Sequence, residues 1–263
     1  MNVLAVAVAG RGLVDPHVPV FTADDEALLR GRAVFETARV HGGRPFRLGA
    51  HVERLGRSAA RVRLAPPDAD ECARLADLVI GAAGGSDLAL RFFWTGTTLV
   101  ATAAAVDPSL EERRARGMKL AVVRWSAGAL AAAKSTSYAE NVAAQDEAGE
   151  RGADDALLVG HDGTVFEAPT ANVWWREGDR LLTPSLELPI LAGVTRAVIL
   201  DLAAGAGYAT EEGVYPLERL LAGDEVFLSS SIREVMPVAA VDATGFDLGP
   251  AAHDHQRALR SLA

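Results

Sequence analysis

The chain has 263 residues, 49% of them apolar and 23% charged, with a formal net charge of −9 at pH 7. That is enough material for one large globular domain or two of ordinary size, and the acid excess argues against a nucleic-acid partner, whose phosphates need a basic face. A single cysteine, Cys72, excludes an intrachain disulfide and a thiolate metal cluster; set in a helical pattern, it reads as a small core residue.

Residues 1–10 are a short apolar run without a basic n-region or cleavage site, and read as a first strand. No stretch reaches the roughly 20 apolar residues of a membrane helix, so a cytoplasmic protein without membrane contact is expected. Residues 32–41 alternate as a strand and end in the Gly42-Gly43 turn. Leu48, Val52, Leu55, Ala59 and Val62 recur at spacings of three and four, predicting an amphipathic helix over 48–64. A second follows over 68–82, stopped by Gly84-Gly85. Residues 88–94 and 98–106 form a predicted hairpin around Thr95-Gly96-Thr97.

The arginine-rich run 108–118 reads as an interdomain linker. Beyond it come a strand over 119–125, a helix over 140–151, and short strands over 155–160, 164–167 and 172–176, the first two joined at Asp162-Gly163. A helix over 194–204 has Gly193 at its mouth, and a strand over 225–229 runs into Ser230-Ser231, a predicted cap. Strands and helices alternate in both halves, so the fold class is α+β or mixed α/β.

Three features could bind a phosphorylated, cationic aromatic molecule. Lys134, among small apolar residues, is placed to lose solvation and act as a Schiff-base amine. Leu191-Ala-Gly-Val-Thr-Arg196 opens a helix, whose free N–H groups suit an anion and where Thr195 adds a hydroxyl. The segment 227–232 leads a strand into three hydroxyls. Each alone also reads as an ordinary feature: a solvated lysine, a capped helix start, a turn.

In order along the chain stand Val34-Phe-Glu-Thr-Ala-Arg-Val40, His51-Val-Glu-Arg-Leu55, Lys134-Ser-Thr-Ser-Tyr-Ala-Glu-Asn-Val142 and Gly152-Ala-Asp-Asp-Ala-Leu-Leu158. Val165-Phe-Glu-Ala-Pro-Thr-Ala-Asn-Val173, residues 191–196 and residues 227–238 complete the series. From about Phe21 to Val241 the chain thereby resembles the class IV aminotransferases, fold type IV enzymes that use pyridoxal 5'-phosphate. Branched-chain and D-amino-acid aminotransferases and aminodeoxychorismate lyases belong to that family.

The resemblance implies that Lys134 joins the cofactor through its amine and later moves the Cα proton. It places Glu167 beneath the pyridine nitrogen, Arg54 on the phosphate, and the Val194 and Thr195 amides with the Thr195 and Ser231 hydroxyls in the rest of the phosphate cup. Leu191 is implied to pack on a ring face, and Tyr138 to lie near the phenolic oxygen, one residue out of the relatives' register. Gly31-Arg32-Ala33 replaces the family's frequent Gly-Asp-Gly, and Trp94-Thr-Gly96 stands where lyases and D-amino-acid enzymes commonly carry Thr-Arg-Gly. Arg39 and Arg91 fall where branched-chain enzymes place pocket arginines; pairing with surface carboxylates explains them equally well.

The reading is a two-domain fold type IV enzyme, residues 1–115 and 119–263, with the cofactor in the cleft between them. Its activity is transamination between an amino acid or amine and a 2-oxo acid. Relatives are homodimers that lend each other a pocket loop, so a homodimer is expected. The competing activity is aminodeoxychorismate lyase, which gives 4-aminobenzoate and pyruvate; Thr37 and the Lys-Ser-Thr-Ser-Tyr segment look lyase-like. A catalytically silent relative is a remote third reading. No metal is expected: His253 and His255 read as solvated tail residues.

Overall fold

Alternating apolar side chains draw the N-terminal strands into one antiparallel sheet. In the computed structural model, which describes residues 2–85 and 87–263, these are β1 (Val3–Val8), β2 (Gly12–Val14), β3 (Val34–His41), β4 (Arg44–Pro45), β5 (Asp87–Trp94) and β6 (Leu99–Ala105). Their order is β2-β1-β6-β5-β3-β4. Met1, with which the expected first strand begins, lies outside the described residues. Helices α1 (Glu26–Arg30), α2 (Leu48–Arg61) and α3 (Ala69–Ala83) complete this part. Asp68 caps α3 by accepting the Glu71 N–H, and Gly84 ends it in the left-handed region. The core formed by the helices and one sheet face holds Leu55, Leu75, Val79, Leu90 and Phe92. The β5–β6 hairpin turns at Gly96, whose φ of 97° suits only glycine.

The remaining elements are α4 (Ser109–Arg116), β7 (Met118–Arg124), α5 (Ala139–Glu150), β8 (Asp155–Val159), β9 (Asn172–Glu177), β10 (Arg180–Pro184), α6 (Val194–Ala203), β11 (Ala209–Gly213), α7 (Leu217–Leu221), β12 (Glu225–Ser230), β13 (Glu234–Val241), β14 (Thr244–Gly245) and α8 (Pro250–Arg260). Their strands make an eight-stranded mixed sheet, β11-β10-β9-β12-β13-β7-β8, with β14 on β13. Trp174 of β9 stacks on its cross-strand neighbour Phe227 of β12 beneath Ile199 and Ala252. Helix α5 seals the other end through Ala144 and Ala148 over Ala121, Ala156 and Leu158.

The chain divides into two compact units. The first comprises the residues up to Asp107 together with Ala132–Tyr138 and Ala263; the second comprises Pro108–Ala131 and Ala139–Leu262.

Three expectations change. The run read as a linker is helix α4: Leu, Glu, Arg and Ala are good helix formers, Glu111 and Glu112 fall in its first turn, and Arg113, Arg114 and Arg116 in its last. Residues 164–167 make single bridges to Val159 and Pro216 instead of a regular strand, since Pro216 has no N–H to continue a ladder. The tail is helix α8, in which His255 is fully buried, donates from Nδ1 to the Ala251 carbonyl (2.8 Å) and stacks near Phe227.

Candidate active site

In the first unit, β3 sends Val34, Glu36, Ala38 and Val40 to the helix-covered face and Phe35, Thr37 and Arg39 to the other. A carboxylate among those apolar residues has to be compensated. Helix α2 does so with residues one turn apart: His51 Nδ1 lies 2.7 Å from Glu36 Oε2, and Arg54 donates Nε to Oε1 (2.7 Å) and Nη2 to Oε2 (2.9 Å). Glu36, His51 and Arg54 are 0, 1 and 5% exposed, so all three act in low dielectric. Burial alone would raise the Glu36 pKa; the Arg54 charge and the hydrogen bonds from both partners outweigh it and hold the carboxyl at about 2. Burial lowers the pKa of His51, against the pull of Glu36. An ionised Glu36 only accepts, so Nδ1 of His51 carries the proton. Arg54 is therefore oriented by a fork-to-fork contact before anything binds.

Lys134 is fixed by its main chain. Its N–H donates to Ser58 Oγ of α2 (3.1 Å), and its carbonyl accepts from Phe35 N–H (3.0 Å). Thr136 N–H donates to Ala33 O (2.9 Å), so residues 134–136 pair along the start of β3. Lys134 Nζ lies 4.4 Å from the centroid of the Phe35 ring. The edge of Tyr138 meets the same ring, centroids 5.5 Å apart.

The two candidate substrate arginines are placed differently. Arg39 forks onto Asp87 with two bonds of 2.7 Å. Arg91 forms no ion pair among the described residues: it donates Nε to Thr37 Oγ1 (3.2 Å) and lies over the faces of Phe35 and Phe93. Burial lowers its pKa. A half-buried guanidinium in such surroundings is suited to a carboxylate arriving from outside.

In the second unit, Glu167 follows a turn off β8, with the Leu158 N–H donating to its carbonyl (2.8 Å). Its carboxylate accepts from Asn172 Nδ2 (2.9 Å) and from the Leu191 N–H (3.1 Å). The same Asn172 amide donates to Leu191 O (2.9 Å), tying the glutamate to the segment that opens α6. Helix α6 begins at Gly193 without a side-chain cap, with Val194 and Thr195 in its first turn. A Cβ at 193 would collide with Asn172 Oδ1, so glycine is required there for closeness. Ser231 stands half-buried in the turn joining β12 to β13; Ser230 Oγ accepts from Arg233 N–H and closes that turn, rather than capping a helix.

Each unit carries groups of the kinds that pyridoxal phosphate engages. The first unit offers an amine and an oriented guanidinium, the second an oriented carboxylate, an uncapped helix N-terminus and a hydroxyl-bearing turn. The profile for the family described as amino-transferase class IV matches residues 33–241. The chain belongs to the class IV aminotransferase family. As a class IV aminotransferase it uses pyridoxal phosphate.

This class IV aminotransferase is 29% identical over 244 residues to an aminodeoxychorismate lyase of Bacillus subtilis (strain 168), covering 86% of this chain and 83% of the relative. It is 30% identical over 246 residues to a putative branched-chain-amino-acid aminotransferase of Methanocaldococcus jannaschii, covering 87% and 84%. A hypothetical aminotransferase from Mycobacterium tuberculosis superposes with a TM-score of 0.91 at 27% identity over 98% of both chains, in its PLP-bound form and in its α-ketoglutarate and PMP bound form. Sequence reasoning did not single out Glu36, His51, Ser58 or Asn172. The available signal was a charged residue at an inward position of an otherwise apolar strand, and polar residues within the buried stripe of α2.

Proposed function

We propose that this class IV aminotransferase transfers an amino group between an amino acid and a 2-oxo acid, with Lys134 as the residue that holds the cofactor. The observation that carries the reading is the placement of Lys134 by main-chain bonds to α2 and β3, next to the helix on which Glu36 and His51 orient Arg54. When bound, pyridoxal phosphate supplies an electron-accepting ring that stabilises negative charge at the substrate's α-carbon. Lys134 would hold the group through its amine, and the same amine would take and return the proton at the substrate's Cα. Glu167, its carboxylate oriented by two N–H donors, would hold a proton at the pyridine nitrogen. Arg54, the Val194 and Thr195 amides and the Thr195 and Ser231 hydroxyls bind the phosphate; Leu191 covers a ring face and Tyr138 attends the phenolic oxygen. Arg91 with Thr37 receives the substrate carboxylate, Arg39 being engaged by Asp87.

Aminodeoxychorismate lyase activity is the second reading, supported by the Bacillus subtilis relative and the Thr37–Arg91 contact. The protein is proposed to act as a homodimer in the cytoplasm; no helix among the described residues is long and apolar enough to cross a membrane. Sedimentation of the purified protein tests the dimer.

The decisive experiment is the absorption spectrum of the wild type and Lys134→Ala with pyridoxal phosphate, followed by borohydride and mass mapping. Cofactor fixed on Lys134 supports the reading; fixation elsewhere, or none, overturns it. Parallel assays of a 2-oxoglutarate half-reaction and of pyruvate plus 4-aminobenzoate formation separate transaminase from lyase.

A further inference from the structure

The turn bearing Ser231 is held more firmly than its length requires. Strands β12 and β13 pair up to Ser230 and Glu234, leaving only residues 231–233 between them, and three-residue connections close without help from distant elements. Here three elements converge on it and its flanks. From β8, Asp155, 1% exposed, receives Arg233 Nη1 at 2.6 Å on Oδ2, while its Oδ1 accepts from Gln145 Nε2 of α5 (3.2 Å) and from the Ala156 N–H (2.9 Å). From α4, Arg114 donates Nη2 to the Arg233 carbonyl (2.7 Å) and Nε to the Val235 carbonyl (3.1 Å). From α8, Gln256 receives the Val235 N–H (2.9 Å), and with Arg260 donates to the buried Glu234 carboxylate. Glu234 itself has a φ of 57°, a left-handed conformation costly for a residue with a Cβ.

A buried ion pair is weak grounds for stability, because apolar side chains of similar volume do as well. What such a pair supplies is one fixed geometry. Arg233 has its guanidinium on Asp155 and Glu234 its carboxylate on Gln256 and Arg260, so the main chain is fixed just after Ser231, two positions before Arg233. We infer that Asp155, acting through Arg233, is a positioning residue that sets the turn for the cofactor's phosphate. The inference rests on the proposed role of Ser231, and adds a determinant of cofactor affinity 76 positions away from that serine.

The test compares pyridoxal phosphate with unphosphorylated pyridoxal as probes, titrated spectroscopically into the apo forms of the wild type, Ser231→Ala, Arg233→Met, Arg233→Lys, Asp155→Asn and the Ser231→Ala/Arg233→Met double variant. Apo thermal unfolding is recorded for each. Arg233→Met and Asp155→Asn are expected to weaken pyridoxal phosphate about tenfold, the worth of one charge-assisted contact. Pyridoxal affinity stays within about twofold, Arg233→Lys recovers part of the loss, and the double variant is no worse than the more affected single, as for residues acting as a unit. Equal weakening of both probes, or single effects that multiply in the double variant, overturns the positioning role. If Ser231→Ala does not lower the preference for the phosphorylated probe, the reading on which the inference rests fails first. If Arg233→Met does not fold, Arg233→Lys and Asp155→Asn decide by the same ratio.

Discussion

Glu36 grips Arg54 through both Nε and Nη2 while accepting His51 Nδ1 on the same carboxylate. The folded carboxyl titrates at about 2 against an ordinary 4.5, so the unfolded chain binds that proton more readily. The stabilisation, about 3 kcal/mol, is therefore whole above pH 4.5 and lost as the pH falls towards 2. His51, with a pKa lowered by burial, works in the same direction: stability is lost as the pH drops below its ordinary 6.5. Glu36→Gln is expected to lose about 3–5 kcal/mol at pH 7 and to show a flatter acid limb in thermal unfolding against pH. An acid limb as steep as the wild type's would show that another group titrates there.

Arg39 and Arg91 separate in kinetics. Arg39→Met removes a side chain already engaged by Asp87, and KM for the oxo acid should change by less than about twofold. Arg91→Met removes a cation without a carboxylate partner among the described residues, so KM for a carboxylate substrate should rise at least about tenfold. Steady-state rates with the two variants check this, and the reverse pattern would assign the substrate carboxylate to Arg39.

Asn172 is the hinge between Glu167 and the start of α6. Asn172→Ala should lose about 1.5–3 kcal/mol of stability, having removed a buried donor to a carboxylate. It should also lower kcat more than KM, because Glu167 keeps its chemistry but loses its aim. Urea unfolding and single-turnover rates measure the two effects; intact turnover with lost stability would restrict Asn172 to a packing role.

Gly193→Ala places a methyl group against Asn172 Oδ1. The overpacking should cost about 1–3 kcal/mol and weaken cofactor binding, as seen in the urea midpoint and a pyridoxal phosphate titration. Asn172→Ala in the same background should cost less than it does in the wild type, because it also gives the methyl group room.

Two hairpins and the helices α2 and α3 of the first unit were readable because their signals are local: Gly42-Gly43, Thr95-Gly96, and apolar spacings of three and four; α1 and β2 are too short to leave such a signal. Helix α8 was missed because its buried stripe (Ala251, Ala252, His255, Gln256, Leu259) contains two polar residues, and α4 because its charges hid good helix formers. Lys134 stood out by its small apolar neighbours, whereas Arg54 and Glu167 came from the resemblance to the family. Their supports lie 15 to 18 residues apart for Glu36 with His51 and Arg54, and 78 for Asp155 with Arg233, so no local periodicity records them.

Lys134 and its neighbours are counted with the first unit, although the chain has already spent residues 108–131 in the second. At the outer edge of β3, β4 pairs only with Val40 and His41; the Val34 end is paired by Ser135. A nascent chain cut at Asp107 thus has every strand of the first sheet but a bare edge beside the place where Lys134 will sit. Bare edges recruit other strands. Residues 134–136 cover that edge, so the segment that carries Lys134 also removes a place where a foreign strand could pair.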